Sequence, residues 1–329
     1  MPRLPIVTLT LGILLTTLLT GCNETVQETK PLIISEGWPK SISDSYGTIT
    51  LDSPPKRIVS TSVSITGTLL TIDAPLIASG GTRPNTKVAN EDGFFKQWSE
   101  VANERKVAPL YQGVANAESV AKQKPDLILV SATGGDSAVK LYKQFSTIAP
   151  TIVVNYDDKS WQDLARLLAD ITDKKAEAER AISKFEIKLA DVKKQIVLPP
   201  QPISALVYYG DDRGGNFWTK ESAQGQVLSS LGFSLSELPE GLKDNHQMGK
   251  RKDIVPVNGE KFADAITGQS VLLFAANDST VSQMKSNKFI SHLTPITQSR
   301  VYAMGDDSFR LDYYSSMNLL STIESTFHQ

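Results

Sequence analysis

Between Ser160 and Gln195 the chain runs for 36 residues without a glycine or a proline, and this stretch limits the possible folds more than any other. Apolar residues recur there at Leu164, Leu167, Leu168, Ile171, Ala178, Ala181, Ile182, Phe185 and Leu189, the spacing that places side chains on one helical face. The pattern predicts one long helix or two abutting ones, with Asp173, followed by Lys174 and Lys175, as the point of a break. Pro199-Pro200 ends it, because proline cannot continue a helix.

Short apolar runs bounded by turn residues lie on both sides. Before the helix they are Arg57 to Ser60, Pro75 to Gly80, Asp126 to Ser131 and Thr151 to Asn155; after it come Ala205 to Tyr209, Val271 to Ala275 and Val301 to Ala303. Helical patterns separate the first four, which predicts a parallel sheet covered on both faces before the long helix, with a second α/β half after it. The expected organisation is therefore two α/β lobes, 38–158 and 199–329, joined by a long helix within 159–198. The lobes echo each other: a glutamate opens a helix leading into a strand at Glu118 to Val130 and again at Glu260 to Phe274.

The N-terminus carries one cation, Arg3, then an uncharged run from Leu4 to Leu19 and the segment Leu19-Thr20-Gly21-Cys22. This is the layout of a secretory signal, too short and too rich in threonine for a spanning helix. Cys22, the only cysteine, falls at the cut site and is the expected lipidation residue, with 1–21 removed. Two or three acyl chains would then hold the protein at a membrane where a single chain is marginal. Residues 22–37 mix Glu, Thr, Lys, Gln and Pro without periodicity and are expected to be a flexible linker.

The formal net charge is -2, and loss of 1–21 removes Arg3 and no acid, leaving -3. No global basic field exists to attract nucleic acid, so an anionic ligand must be met by a local cluster of cations. His246, His292 and His328 stand far apart and no Cys-x-x-Cys or His-x-x-x-His spacing occurs, which argues against a protein-held metal. A hydrolase using the Ser131 to Ser137 loop is disfavoured as well, since no Gly-x-Ser-x-Gly elbow is present.

Pro55 to Val59, Lys124 to Ile128 and Gln224 to Gly232, in this order and spacing, resemble recurring segments of the substrate-binding proteins of metal-chelate and vitamin B12 ABC importers. Four longer runs, Arg57 to Val63, Ser131 to Ser137, Asn155 to Trp161 and Phe309 to Ser315, are similar to members of that family that take ferric catecholate siderophores. The resemblance implies a non-enzymatic monomer without a cofactor, which binds a ferric siderophore in an interlobe cleft and delivers it to an ABC permease. It also implies little domain motion, because a helix joins the lobes.

A ferric tris-catecholate is an anion with an aromatic shell, so its receptor needs cations and aromatic surface. Loops following strands are where open α/β sheets place ligands, and Arg83 and Lys87 follow the run that ends at Gly80. The resemblance puts the family's binding arginine at Lys87. In the second lobe Gly214-Gly215 permits a sharp turn that is expected to leave Trp218 exposed on a loop ahead of a helix starting near Ser222. Arg310 follows the last strand, with pairing to Asp306 or Asp307 as its bland alternative. The resemblance places Arg251, in the run Lys250-Arg251-Lys252, near the cleft mouth. It also assigns Glu118 and Glu260 to permease docking, against the ordinary role of a first-turn acid. Binding of another chelate or of bare ferric ion is the rival function, since Tyr208-Tyr209 and Tyr313-Tyr314 are adjacent phenols. Strand neighbours point to opposite faces, so Tyr208 and Tyr209 cannot converge on one ion.

Overall fold

The computed structural model describes residues 31–211, 213–243 and 253–329. It opens with a small antiparallel meander, β1 (Ile33–Ile34), β2 (Lys40–Asp44) and β3 (Gly47–Leu51), in the order β1-β2-β3. Ile33 and Ile34 fall in the segment expected to be a linker, yet they pair with Ser43 and Ile42. The meander is pinned to the first lobe. Ile42 and Leu51 are buried in its core, Asp44 accepts a bond from the Val153 amide at 2.8 Å, and the buried Lys40 ammonium pairs with the Asp170 carboxylate at 2.7 Å.

The four apolar runs of the first lobe become β4 (Ile58–Ser60), β5 (Leu76–Gly81), β7 (Leu127–Ser131) and β8 (Thr151–Val154), and a fifth strand not singled out from the sequence, β6 (Ala108–Gln112), joins them at the edge. They form a parallel sheet in the order β6-β5-β4-β7-β8. Alternate residues enter different cores: Val59, Ile128 and Val130 pack on one face, Ile58, Leu127, Leu129 and Ile152 on the other. Burial on both faces explains why these strands are continuously apolar. The order reverses between β4 and β7, the switch point at which open sheets hold ligands. Helices α1 (Val63–Thr71), α2 (Lys96–Glu104), α3 (Ala117–Lys122) and α4 (Tyr142–Phe145) cover the sheet.

The connecting segment is two helices, α5 (Trp161–Thr172) and α6 (Lys175–Gln195), broken at Asp173 in the left-handed conformation, φ 60°. Arg166 and Glu179 pair across the break at 2.8 Å.

The second lobe comprises β9 (Ile203–Tyr208), β10 (Gly215–Trp218), α7 (Ala223–Leu231), α8 (Glu240–Lys243), β11 (Ile254–Val257), α9 (Gly259–Ala265), β12 (Ser270–Leu273), α10 (Asp278–Lys285), α11 (Thr294–Thr297), β13 (Val301–Ala303) and α12 (Tyr313–Phe327). Its sheet runs β11-β10-β9-β12-β13, with β10 antiparallel to both neighbours and β9, β12 and β13 parallel. Helix α12 turns back onto the connection: Lys188 of α6 bonds Glu324, and Val197 N donates to Phe327 O at 2.8 Å. One hydrophobic core therefore runs without interruption from Ile58 and Leu69 through Leu168 and Ile182 to Leu228 and Leu320. Among the described residues no helix is long and apolar enough to cross a membrane.

Candidate functional site

A cavity of about 590 Å3 lies where the two lobes face each other. The first lobe contributes Ser64 and Thr68 of α1, Thr133 after β7, and the segment Asn155 to Ser160 after β8. The second lobe contributes Trp218, the start of α7 and the segment Phe309 to Asp312. Most of these residues sit in loops beyond strand ends near the switch point, where such sheets gather ligands.

Arg310 crosses from one lobe to the other. Its guanidinium lies 4.3 Å from the centroid of the Tyr156 ring, and Nη1 is 3.8 Å from Asp157 Oδ1. Pairing with Asp306 or Asp307 does not occur, because those carboxylates are committed elsewhere: Asp306 accepts from Asn277 Nδ2 at 3.1 Å and Asp307 from Asn318 Nδ2 at 2.7 Å. Tyr156 is fixed from below, its hydroxyl donating to Asp136 Oδ1 at 3.2 Å. The other oxygen of Asp136 accepts from Ser64 N at 2.9 Å and from the Ser62 hydroxyl. Asp136 thereby supplies the cap of α1, whose N-cap Ser62 makes no side-chain cap bond of its own. Burial pushes the Tyr156 phenol up; Arg310 pulls it down and Asp136 pushes it further up.

Trp218 lines the cavity but is not on a loop. It ends β10 and is only 6% exposed, against Phe309 at 5.4 Å and Phe274 at 6.3 Å between centroids. Pairing on both edges makes Gly215–Trp218 a strand, so successive side chains take opposite faces. Phe217 enters the second lobe's own core with Phe262, and Trp218 enters the core shared between lobes. The helix expected near Ser222 does begin there: Ser222 Oγ accepts from Gly225 N at 2.8 Å. Gln224 Nε2 then donates to Ser308 O at 3.1 Å and Phe309 O at 2.6 Å, tying α7 to the Arg310 loop.

Asp312 forms the floor of the cavity. It caps α12 through a reciprocal pair, its Oδ1 accepting from Ser315 N and its own N–H donating to Ser315 Oγ, both at 2.8 Å. Burial lifts its carboxyl to about 6.

The remaining expected residues are dispersed. Arg83 and Lys87 are exposed on the β5–α2 loop and are not among the cavity-lining residues, whereas Phe95 and Gln97 beyond that loop are. Arg251 and Cys22 lie outside the described residues; Asp253, two positions after Arg251, lines the cavity. Glu118 opens α3, capped by Asn116 and paired with Lys122 at 2.9 Å in an exposed i,i+4 bridge. Glu260 is exposed in the first turn of α9. Both acids occupy one topological place, on the helix between the sheet's edge strand (β6, β11) and an inner strand (β7, β12).

Tyr156, Asp157, Lys159, Trp161 and Phe309 line the cavity without having been singled out from the sequence. The rule applied to Arg83 and Lys87, a loop following a strand, points equally to 155–160. Several converging cations were expected, but the described lining holds Lys159 and Arg310 beside Asp157, Asp158, Glu221, Asp253 and Asp312. Lys159 is bonded to Asp158 at 2.6 Å, and the apolar share of the wall is mainly aromatic: Phe95, Tyr156, Trp161, Trp218 and Phe309, with Leu164, Ala223 and Leu311 beside them. Among the described residues no group of three or more His, Cys, Asp and Glu side chains could hold a metal ion. Tyr208 and Tyr209 diverge: the first stacks on Phe262 and the second bonds Asn216.

The sequence pattern of a family described as periplasmic binding protein matches residues 58–308. The chain is 52% identical over 290 residues to the ferric enterobactin-binding periplasmic protein FepB of Escherichia coli O6:H1, covering 88% of this chain and 91% of that one. It is 24% identical over 210 residues to the Fe(3+) dicitrate-binding periplasmic protein FecB of Escherichia coli K12, covering 62% and 65%. The crystal structure of holo-ViuP superposes with a TM-score of 0.80 at 32% identity, over 89% of this chain and 96% of that one.

Proposed function

This chain belongs to the periplasmic binding protein family, and on that premise we propose that it is the substrate-binding component of a siderophore importer, capturing a ferric catecholate of the enterobactin type between its lobes. One observation carries the reading: an arginine laid over a tyrosine ring in an aromatic-walled interlobe cavity. A tris-catecholate offers that arginine both negative charge and ring faces, and such contacts contribute about 0.5–2 kcal/mol each depending on desolvation. Iron arrives already wrapped by its chelator and asks the protein for no ligand, so the task is recognition and release without chemistry.

Arg310 and Trp218 act from the cavity wall. Lys87, Arg83 and Arg251 add positive charge at its approaches; the run Lys250-Arg251-Lys252 continues directly into the wall residue Asp253. Glu118 and Glu260, one per lobe at equivalent positions, engage basic residues of an ABC permease. Exposed ion pairs are worth about 0–1 kcal/mol each, so they set register more than affinity. Cys22 carries the lipid that keeps a single copy of the protein at the membrane.

Titration of intrinsic tryptophan fluorescence with ferric enterobactin, a ferric hydroxamate and ferric citrate tests the reading. Trp161 and Trp218 both line the cavity, so the catecholate should quench strongly and saturably at low concentration while the other two do not. Equal responses to all three, or none to the catecholate, would overturn it.

A further inference from the structure

We propose that Asp157 is a built-in competitor for Arg310, a carboxylate that tempers the affinity of the cleft for its anionic ligand and speeds ligand release. The inference rests on the catecholate reading given above.

Three observations place the two groups in opposition to a ligand. Arg310 is the cavity cation laid against an aromatic face, and among the described residues its ionic partner is Asp157, 3.8 Å away on the opposite lobe. Both side chains line the cavity and both are about one third exposed, 34% for Arg310 and 28% for Asp157. An incoming anion therefore meets them together. The aromatic partner, by contrast, is locked: Tyr156 is held through Asp136 to the start of α1. The ring fixes where the guanidinium lies, so Asp157 is not needed to position it.

The pair is also too long for a strong bond. A charge-assisted contact closes to about 2.7–2.9 Å, and at 3.8 Å in a solvent-facing site the attraction is modest. Such a contact adds little to stability, but it presents a negative charge to any anion that approaches Arg310. A ligand carrying several negative charges must displace Asp157 and then remain near it. Asp157 recovers the guanidinium as the ligand leaves, which lowers the barrier to departure. A protein that hands its cargo on needs a finite residence time, and most affinity tuning acts through the off-rate.

The test is Asp157→Asn in the purified protein, with stopped-flow and equilibrium fluorescence using ferric enterobactin. The isosteric amide keeps the loop and removes the charge. The expected result is binding about three- to tenfold tighter, mostly through a slower off-rate, with the effect shrinking as salt screens it. In an Arg310→Ala background the same substitution should lose most of its effect, as coupled neighbours do in a double-mutant cycle. Weaker or unchanged binding in Asp157→Asn, or an equal gain with and without Arg310, would overturn the proposal. Failure of the wild-type protein to bind ferric enterobactin would instead overturn the reading on which it rests.

Discussion

Asp312→Asn should make the protein more stable at neutral pH although it removes a helix-capping carboxylate. Asparagine caps helices about as well as aspartate, so its Oδ1 can still accept from Ser315 N. Its Nδ2 would face Gln97, whose Nε2 now reaches Asp312 Oδ2 at 3.4 Å while Oε1 is buried without a partner; rotating that amide gives Gln97 Oε1 a donor. The charge is the larger matter. Burial raises the Asp312 carboxyl from 3.8 to about 6, with a smaller push from Asp307, and the bonds from Ser315 and Gln97 only partly oppose this. At about 1.4 kcal/mol per pH unit, the ionised group costs up to ~3 kcal/mol above pH 6. Between about 4 and 6 the native state binds more protons than the unfolded chain, so the wild type loses stability as pH rises through that window. Part of the gain is lost because the indole N–H of Trp98 is close by: a Cβ built on Gly67 would lie 2.5 Å from Asp312 Oδ2 and 2.9 Å from Trp98 Nε1, so that donor gives up an anionic neighbour. The expected net gain is about 1–2 kcal/mol at pH 7.5, falling toward zero at pH 4. Urea unfolding of both proteins at several pH values measures it. A variant that is less stable at pH 7.5, or a difference independent of pH, would refute the account of Asp312 as a buried charge.

Arg310→Lys should weaken ferric enterobactin binding about tenfold by fluorescence titration, since an ammonium cannot lie flat on the Tyr156 ring; an unchanged affinity would remove Arg310 from the site. Gly225→Ala should destabilise the protein by about 2 kcal/mol or more despite a better helix former, because the new Cβ would sit 2.0 Å from Thr219 O; the urea midpoint reports it. Small-angle scattering should show the radius of gyration changing by less than about 1 Å on ligand addition, as expected when one core spans both lobes; a larger contraction would indicate a hinge.

The alternation of apolar runs and helical patterns was enough to read four of the five strands of the first lobe's parallel sheet and the break at Asp173, because those features follow from local residue patterns; the edge strand β6, half-exposed and interrupted by a proline, gave no such run. The meander at 33–51 was not legible. Its strands are short and half polar, and its stability comes from contacts distant in sequence, Lys40 with Asp170 and Asp44 with Val153. β10 was hidden for a similar reason: Gly214-Gly215 reads as a turn, and only pairing with β9 and β11 on both edges makes the next residues a strand and buries Trp218. At the site, Arg310 could be identified as a cation after a strand, but its partners could not, since Tyr156 and Asp157 precede it by some 150 residues. The acid-rich wall was equally out of reach, because composition reports net charge and says nothing of which carboxylates the fold gathers.

Helix α12 carries a consequence for how the protein is made. Asp312 at its start lies against Gly67 of the first lobe, and Leu319, Leu320 and Ile323 belong to the same core as Ile58 and Leu69. The first half of the chain therefore lacks part of its own interior until α12 has been synthesised. Nascent chains usually fold one unit at a time from the N-terminus; here the leading lobe must wait, with apolar surface exposed, for the C-terminal segment to return. A chain shortened by α12 loses the seal of both halves at once, so truncation from this end should yield an aggregating product and not a smaller binding protein.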